Sequence, residues 1–174
     1  MENTNKWQSA ALDGLLLSLA TVIASLIQSI FSPGTALAML LWLVKFGTCQ
    51  YLLYYFMKQY ATQFNTITYG ESFRYGAMVS VFSSIVCSSF AFISMTFLFP
   101  GDMDKAIEAF NNIVATGNYS SEEEQMLVGI SERLPQVILF WSLIYYSIYG
   151  VIVSAIIANF TKKTNPFSEE QNEQ

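Results

Sequence analysis

The stretch from Thr35 to Phe56 constrains the fold of this chain most, because it is an almost unbroken apolar run, TALAMLLWLVKFGTCQYLLYYF. About 20 apolar residues allow an α-helix to cross the hydrocarbon core of a bilayer. Lys45 stands at the centre of the run, where a cation costs about 2.5 to 3.5 kcal/mol on insertion scales. The sequence therefore predicts a membrane helix whose central charge needs compensation.

The charged residues are few and lie apart from the apolar runs. They make up 12% of the chain, against 53% hydrophobic residues, whereas a soluble domain has about 25% charged residues. Most of them lie in the breaks between apolar runs and in the C-terminal segment, so the net charge of −5 describes the loops. This pattern favours a membrane domain in contact with the lipid bilayer and excludes a basic surface for nucleic acid.

Four apolar runs predict an all-α integral membrane protein, a single domain over residues 1–174. The four transmembrane helices are expected at approximately residues 10–31, 35–57, 70–99 and 136–160. A Ser-Pro-Gly turn joins the first two helices into a hairpin. Thr68 and Glu71 have the spacing of a capping box, which predicts that the third helix begins there.

The longest polar region is predicted to be an outer loop, residues 101–135, that contains two short amphipathic helices. Asp102 is expected to cap the first of these helices, and Gly117 to end it. Ser121 and Glu124 have a capping-box spacing that predicts the start of the second helix. The acidic segment 164–174 is expected to form a cytoplasmic tail.

The basic residues near the ends of the spans predict the orientation, because Lys and Arg resist translocation. On a four-span topology one side carries five of them: Lys6, Lys58, Arg74, Lys162 and Lys163. The outer loop has only Lys105 and Arg133, together with seven acidic residues. We therefore expect a multi-pass protein of the cell inner (plasma) membrane with both termini in the cytoplasm.

Small and polar residues recur at helical spacing and predict which faces of the helices pack together. Large apolar side chains cannot specify those faces, because lipid is as apolar as leucine. On helix three the stripe is Gly76, Ser80, Ser84 and Ser88. Helix four has Ser147, Gly150, Ser154 and Ala158, and helix one has Gly14, Ser18, Thr21, Ser25 and Gln28. We interpret the stripes as helix-packing surfaces, with a polar conduit as the alternative.

Lys45 has three open interpretations: its ammonium reaches an interface along its own helix, it is paired inside the bundle, or it is a functional cation. Counting residues inward from the outer surface places its layer at Thr21, at Ser88 or Ser89, and at Tyr145 or Tyr146. These residues form a candidate intramembrane polar site. Aromatic faces, including that of Trp42 one turn away, can hold an ammonium, whereas Asp13 lies about 12 Å too deep along the axis.

No catalytic constellation is visible in the sequence. Histidine is absent and Cys49 and Cys87 both lie in apolar runs, which excludes a zinc site or a disulfide framework. There is also no glycine-rich phosphate loop and no acid–base pair. We therefore expect no catalytic residues, no metal and no cofactor.

Three segments resemble a family of bacterial membrane proteins, domain-of-unknown-function family 4199: YGESFRYG, PGDMDKAIEAF and AIIANFTKKTNPF. The resemblance covers nearly the whole chain, implies four helices in a bacterial inner membrane, and carries no established activity or substrate. The sequence favours a non-enzymatic protein that acts by association, as a homo-oligomer or as an accessory subunit of a membrane-protein partner. The alternative is a small transporter or channel with a polar path around Lys45.

Overall fold

Helices account for nearly all of the computed structural model, which describes residues 6–31, 34–117 and 119–163. The predicted tail at 164–174 lies outside the described residues. The elements in chain order are α1 (Lys6–Phe31), α2 (Thr35–Thr62), α3 (Tyr69–Ile93), a π-helical turn (Ser94–Leu98), α4 (Pro100–Thr116), α5 (Ser121–Glu132) and α6 (Leu134–Thr161). The expected all-α fold is present.

Four segments are long and apolar enough to cross a membrane: α1, α2, α3 with the π-helical turn, and α6. They run alternately up and down, and α3 packs most extensively against α6 and next against α1. We call the end of the bundle with residues 63–68 the tail end, because α1 begins and α6 ends there. The other end, where α1 ends and α2 begins and where α4 and α5 lie, is the hairpin end.

Three spans extend further than the sequence pattern indicated. α1 begins at Lys6 instead of residue 10. α2 continues to Thr62 instead of ending at residue 57, because Tyr60 and Ala61 are buried in the core. α6 begins at Leu134, with a proline in its first turn. Proline is tolerated there because the first backbone N–H groups of a helix have no intrahelical partner.

The capping box predicted at the start of α3 is confirmed. The backbone N–H of Glu71 donates to Thr68 Oγ1 over 3.3 Å, and the backbone N–H of Thr68 donates to Glu71 Oε2 over 2.9 Å. The two residues thus satisfy each other's free backbone donors. Beyond α3 the span does not stay α-helical to residue 99, because the π-helical turn replaces its last residues.

Both amphipathic helices predicted between α3 and α6 are present, and α4 ends before Gly117 as predicted, but both N-cap predictions were wrong. Phe99 precedes α4 without a side-chain cap, Pro100 begins the helix, and Asp102 lies inside the first turn. The capping box of α5 is formed by Ser120 and Glu123, one residue earlier than predicted. Serines at two adjacent positions each have a glutamate three residues later, so spacing alone could not choose between them.

The end of α6 is tied to the α2–α3 connection at the tail end. Ile67 and Lys163 exchange two backbone hydrogen bonds of 3.1 and 3.0 Å in an antiparallel bridge. The hydroxyl groups of Ser72 and Thr161 hydrogen bond over 2.6 Å in the buried layer beside it. These contacts hold α3 and α6 in register.

Candidate functional site

The small-residue stripes of α3 and α6 face each other, so packing inside the chain accounts for both. Ser80 and Ser154 hydrogen bond over 3.2 Å, and Ser84 and Ser147 over 2.7 Å. A Cβ atom added at Gly150 would lie 2.5 Å from Ser80 Cβ. At Gly76 it would lie 2.9 Å from Ser154 Oγ and still closer to Met57. The two helices approach this closely because glycine and serine occupy the interface.

The stripe of α1 is shared between α3 and α2. At the tail end, a Cβ added at Gly14 would lie 2.7 Å from the backbone oxygen of Val79 on α3. Nearer the hairpin end the stripe meets α2. Thr21 Oγ1 lies 3.2 Å from Cys49 Sγ, and Gln28 Nε2 donates to the backbone oxygen of Ala38 over 3.3 Å.

A cavity of about 210 Å³ lies among all four spans, beside the middle of α2. Polar and aromatic groups line it together with a few aliphatic side chains: Leu17, Thr21, Trp42, Lys45, Phe46, Cys49, Gln50, Leu53, Ser80, Ser83, Ser84, Cys87, Tyr145, Tyr146, Tyr149, Gly150 and Val153. At about 30 Å³ per molecule in the liquid, the volume equals that of roughly seven waters. It is therefore large enough for a small ligand group.

Lys45 lines this cavity, and its ammonium donates to Ser25 Oγ over 3.1 Å. Thr21 and Cys49 meet one turn nearer the tail end, and Gln28 meets Ala38 nearer the hairpin end. The ammonium therefore stays at the depth of its own backbone and does not extend to an interface. Ser25 was placed in the α1 stripe by the sequence, but it was missed as the partner of Lys45.

Most of the residues predicted to share the layer of Lys45 do line the cavity. Thr21, Tyr145 and Tyr146 are among the lining residues. Ser88 is not among the lining residues; it is buried, and its hydroxyl donates to the backbone oxygen of Ile85 in its own helix. Ser83 and Ser84, one turn closer to the tail end, line the cavity in its place.

Within the described part of the chain, no aromatic ring holds the ammonium of Lys45. The cation–π contacts in the part of the chain that the structure describes belong to Lys6, over Tyr60 at 5.9 Å, and Lys58, over Tyr54 at 5.6 Å. Across residues 6–31, 34–117 and 119–163, the one ion pair joins Lys105 and Asp102. Among the described residues Lys45 therefore has a hydroxyl partner but no counter-ion.

Two cysteines and two further polar groups complete the cavity wall. Cys49 and Cys87 are free thiols in the structure. Gln50 Nε2 donates to the hydroxyl of Tyr149, which connects α2 to α6. The ring of Tyr149 also packs against Phe46, with 5.9 Å between the centroids. Gln50 and Tyr149 were not singled out in the sequence, because neither breaks the helical pattern of its own segment.

The cavity is closed towards the tail end and open to the side. On the tail-end side of Leu53, a buried apolar cluster fills the bundle; it includes Phe56, Met57, Val79 and Ile157. On the lateral side, Trp42, Phe46 and Tyr145 all leave 40% or more of their surface exposed. The cavity therefore opens at the outer surface of the bundle, between α2 and α6.

A second polar cluster, which the sequence did not indicate, lies nearer the tail end. Tyr75 is fully buried, and its hydroxyl donates to Asp13 Oδ2 over 2.5 Å. Ser9 Oγ lies 2.9 Å from the same hydroxyl. Tyr60 stacks on the Tyr75 ring, with 3.8 Å between their centroids. Asp13 is thus satisfied by a tyrosine of α3.

The described residues bring no group of three or more Cys, Asp or Glu side chains together in a way that could hold a metal ion. What the cavity does offer is hydrogen-bond donors and one positive charge within an aromatic and aliphatic wall. Such a combination suits noncovalent binding of a small polar group.

The fold defines an all-helical protein with four helices long and apolar enough to span a membrane. The family described as Protein of unknown function (DUF4199) matches residues 10–163, and the chain belongs to this family. Its match includes all of α2 to α6 and most of α1. Searches of curated proteins and of solved structures gave no significant match.

Proposed function

We propose that this chain is a non-enzymatic protein of the bacterial inner membrane that acts by association within the bilayer, in the first place with a second copy of itself. An accessory role beside another membrane protein is the other form of the same proposal. The small-residue stripes of α1, α3 and α6 do not support it, because packing inside the chain uses them. The supporting observation is the uneven packing of the bundle.

The tail-end half of the four spans is well packed, and the hairpin-end half is not. In α1 the buried residues end at Ser18, and in α2 they begin at Leu53. In α3 they end at Ser88, and in α6 they begin at Gly150 apart from Leu134 in its first turn. Close van der Waals packing is a main source of helix association in lipid. A second copy would supply it to the loosely packed half.

The face of α2 directed away from the cavity is the surface we assign to this contact. Its residues are exposed and recur at helical spacing: Ala36, Leu40, Leu43, Gly47 and Tyr51. A Cβ atom added at Gly47 would have no neighbour within 4 Å. A lipid-facing glycine in the middle of a span permits close approach of another helix, and a two-fold contact would place the same face on both copies.

Subunit counting in nanodiscs by single-molecule photobleaching tests the proposal. Gly47→Leu should convert dimers to monomers, because the added side chain separates the helices. Ser89→Leu is the matched control, since Ser89 is a small exposed residue of α3, and it should leave the dimer intact. A wild-type protein that is monomeric and purifies without a partner would refute association in both forms.

The charge distribution supports the orientation that we propose. Five basic residues lie at or near the tail end: Lys6, Lys58, Arg74, Lys162 and Lys163. The hairpin end carries α4 and α5, in which acidic residues outnumber basic ones. Because basic residues stay on the cytoplasmic side, the tail end and both termini belong in the cytoplasm.

The cavity around Lys45 is the observation that favours a transporter or channel as the second candidate. A continuous path would have to pass the apolar cluster of Phe56, Met57, Val79 and Ile157, so conduction would require that cluster to open. Flux measured in proteoliposomes with wild type and Lys45→Ala decides this. An unaltered leak with both proteins would remove the second candidate.

A further inference from the structure

We propose that the cavity among the four spans binds the head group of a single-chain carboxylate amphiphile, a long-chain fatty acid, that enters from the lipid between α2 and α6. The inference goes beyond association and is independent of it, because the cavity and the exposed stripe lie on different faces of α2. Three properties of the cavity carry it: its charge, its open side and its size.

The positive charge of the site has no counter-ion among the described residues. In residues 14–57, 75–101 and 134–161 the sequence contains one charged residue, Lys45. Of the three protons of its ammonium, Ser25 accepts one. An ammonium at bilayer depth is stabilised by an anion far better than by a hydroxyl. An anionic group in the cavity would be the counter-ion that the described residues do not provide.

Further hydrogen-bond donors surround the place where that anion would lie. The hydroxyl groups of Tyr145 and Tyr146 belong to side chains on the cavity wall. Ser80 and Ser84, by contrast, already bond Ser154 and Ser147. A carboxylate accepts up to about four hydrogen bonds through two oxygens. It can therefore bind the ammonium and a tyrosine hydroxyl together.

The route of entry explains why the ligand should be an amphiphile. The apolar cluster closes the cavity towards the tail end, while Trp42 and Tyr145 leave 53% and 58% of their surfaces exposed at the lateral opening. A ligand that arrives through this opening comes from the lipid and can leave its apolar chain between α2 and α6.

The size of the cavity favours a carboxylate over a phospholipid. The available volume is about 210 Å³, and the site supplies a single positive charge. A carboxylate carries one negative charge in a compact group, whereas a phosphodiester head group brings the same charge with a glycerol backbone and two chains. A carboxylate and a phosphodiester both present a pair of anionic oxygens. The experiment therefore tests a fatty acid and a phospholipid separately.

Quenching of Trp42 by brominated fatty acid provides the measurement, because Trp42 lies at the opening. Trp7 and Trp141, the other two tryptophans, are replaced by phenylalanine. The protein is placed in nanodiscs of dioleoyl phosphatidylcholine and titrated with 9,10-dibromostearate. We expect saturable quenching that oleate reverses and oleyl alcohol, which has the same chain without the charge, does not.

Substitutions at the head-group site then separate charge from packing. Lys45→Gln should weaken apparent affinity about tenfold to a hundredfold, the effect of losing a hydrogen bond to a charged group. Lys45→Arg should retain most of the affinity. Tyr146→Phe, which keeps the ring, should weaken it several-fold and provides a readout if Lys45→Gln folds poorly. Lys58→Gln, a cation of the tail end, is the control and should not change binding.

Two sets of results would overturn the proposal. Equal quenching of wild type, Lys45→Gln and Tyr146→Phe, or quenching that oleate cannot reverse, would mean that the bromines report only lipid chains around the protein and that the cavity holds water. Displacement of dibromostearate by dioleoyl phosphatidylglycerol at the same mole fraction as oleate would assign the site to a phospholipid head group instead of a fatty acid.

Discussion

Replacement of Gly150 by alanine tests the contact between α3 and α6, on which the bundle depends most. The added Cβ would lie 2.5 Å from Ser80 Cβ and 2.7 Å from Ser80 Oγ, whereas two carbons pack best at about 3.5 to 4.0 Å. The helices must therefore separate locally by about 1 Å. The backbone fixes the position of Ser80 Cβ, so a change of rotamer cannot relieve the contact.

The expected cost follows from three effects. Overpacking of a well-packed interior costs roughly 1 to 3 kcal/mol. Separation of the helices also weakens the Ser80–Ser154 hydrogen bond, and such contacts contribute about 0.6 kcal/mol in membrane proteins. Alanine is favoured over glycine in a helix by about 0.8 to 1.0 kcal/mol, which offsets part of the loss. The net destabilisation should be about 0.6 to 2.8 kcal/mol.

Equilibrium unfolding in mixed micelles, with increasing dodecyl sulfate and circular dichroism as the signal, measures this difference. Gly70→Ala is the control, because a Cβ atom at Gly70 on α3 would meet nothing within 4 Å. The double variant Gly150→Ala/Ser80→Gly should be more stable than Gly150→Ala alone, since it removes the atom that the methyl group meets. If Gly150→Ala is as stable as Gly70→Ala, or if Ser80→Gly restores nothing, the tight interface is not the reason for the glycine.

Three further predictions concern the polar groups and the topology. Lys45→Glu should lower the melting temperature in detergent more than Lys45→Gln, because it places a charged carboxylate without a counter-ion inside an apolar span, whereas glutamine is neutral. Equal melting temperatures for Lys, Gln and Glu at this position would mean that the side chain reaches water. Tyr75→Phe should cost about 1.5 to 3 kcal/mol in the same unfolding assay, because the Asp13 carboxylate loses its donor, and unchanged stability would indicate that water replaces the hydroxyl. Membrane-impermeant thiol reagents should label Thr66→Cys only from the cytoplasm and Glu108→Cys only from outside, and the reverse result would invert the orientation.

The number of spans and several local details could be predicted from the sequence alone. Hydropathy and length are properties of each segment by itself, so four apolar runs sufficed to predict four helices. The capping box of Thr68 and Glu71 is also local, since both residues lie within one helical turn. The glycines and serines of α3 and α6 indicated packing surfaces because their spacing repeats with the helix.

Tertiary structure decided which of these surfaces meet and what lies between them. Periodicity places Ser80 and Gly150 on faces, but the relative register of two helices depends on contacts such as Ser72–Thr161 that are far apart in the chain. The register of α1 against α2 pairs Lys45 with Ser25. The register of α1 against α3 pairs Asp13 with Tyr75, a contact for which the sequence contains no signal.

The cavity shows most clearly which features the sequence determines and which the tertiary structure determines. The sequence by itself determined that Lys45 lies inside an apolar helix and that Thr21, Tyr145 and Tyr146 stand at a similar depth, because depth along a span follows from counting residues. Depth does not determine rotation about the helix axis. The fold placed Ser83 and Ser84 on the cavity wall and Ser88 outside it, because the rotation of each helix follows from the side chains that its neighbours present.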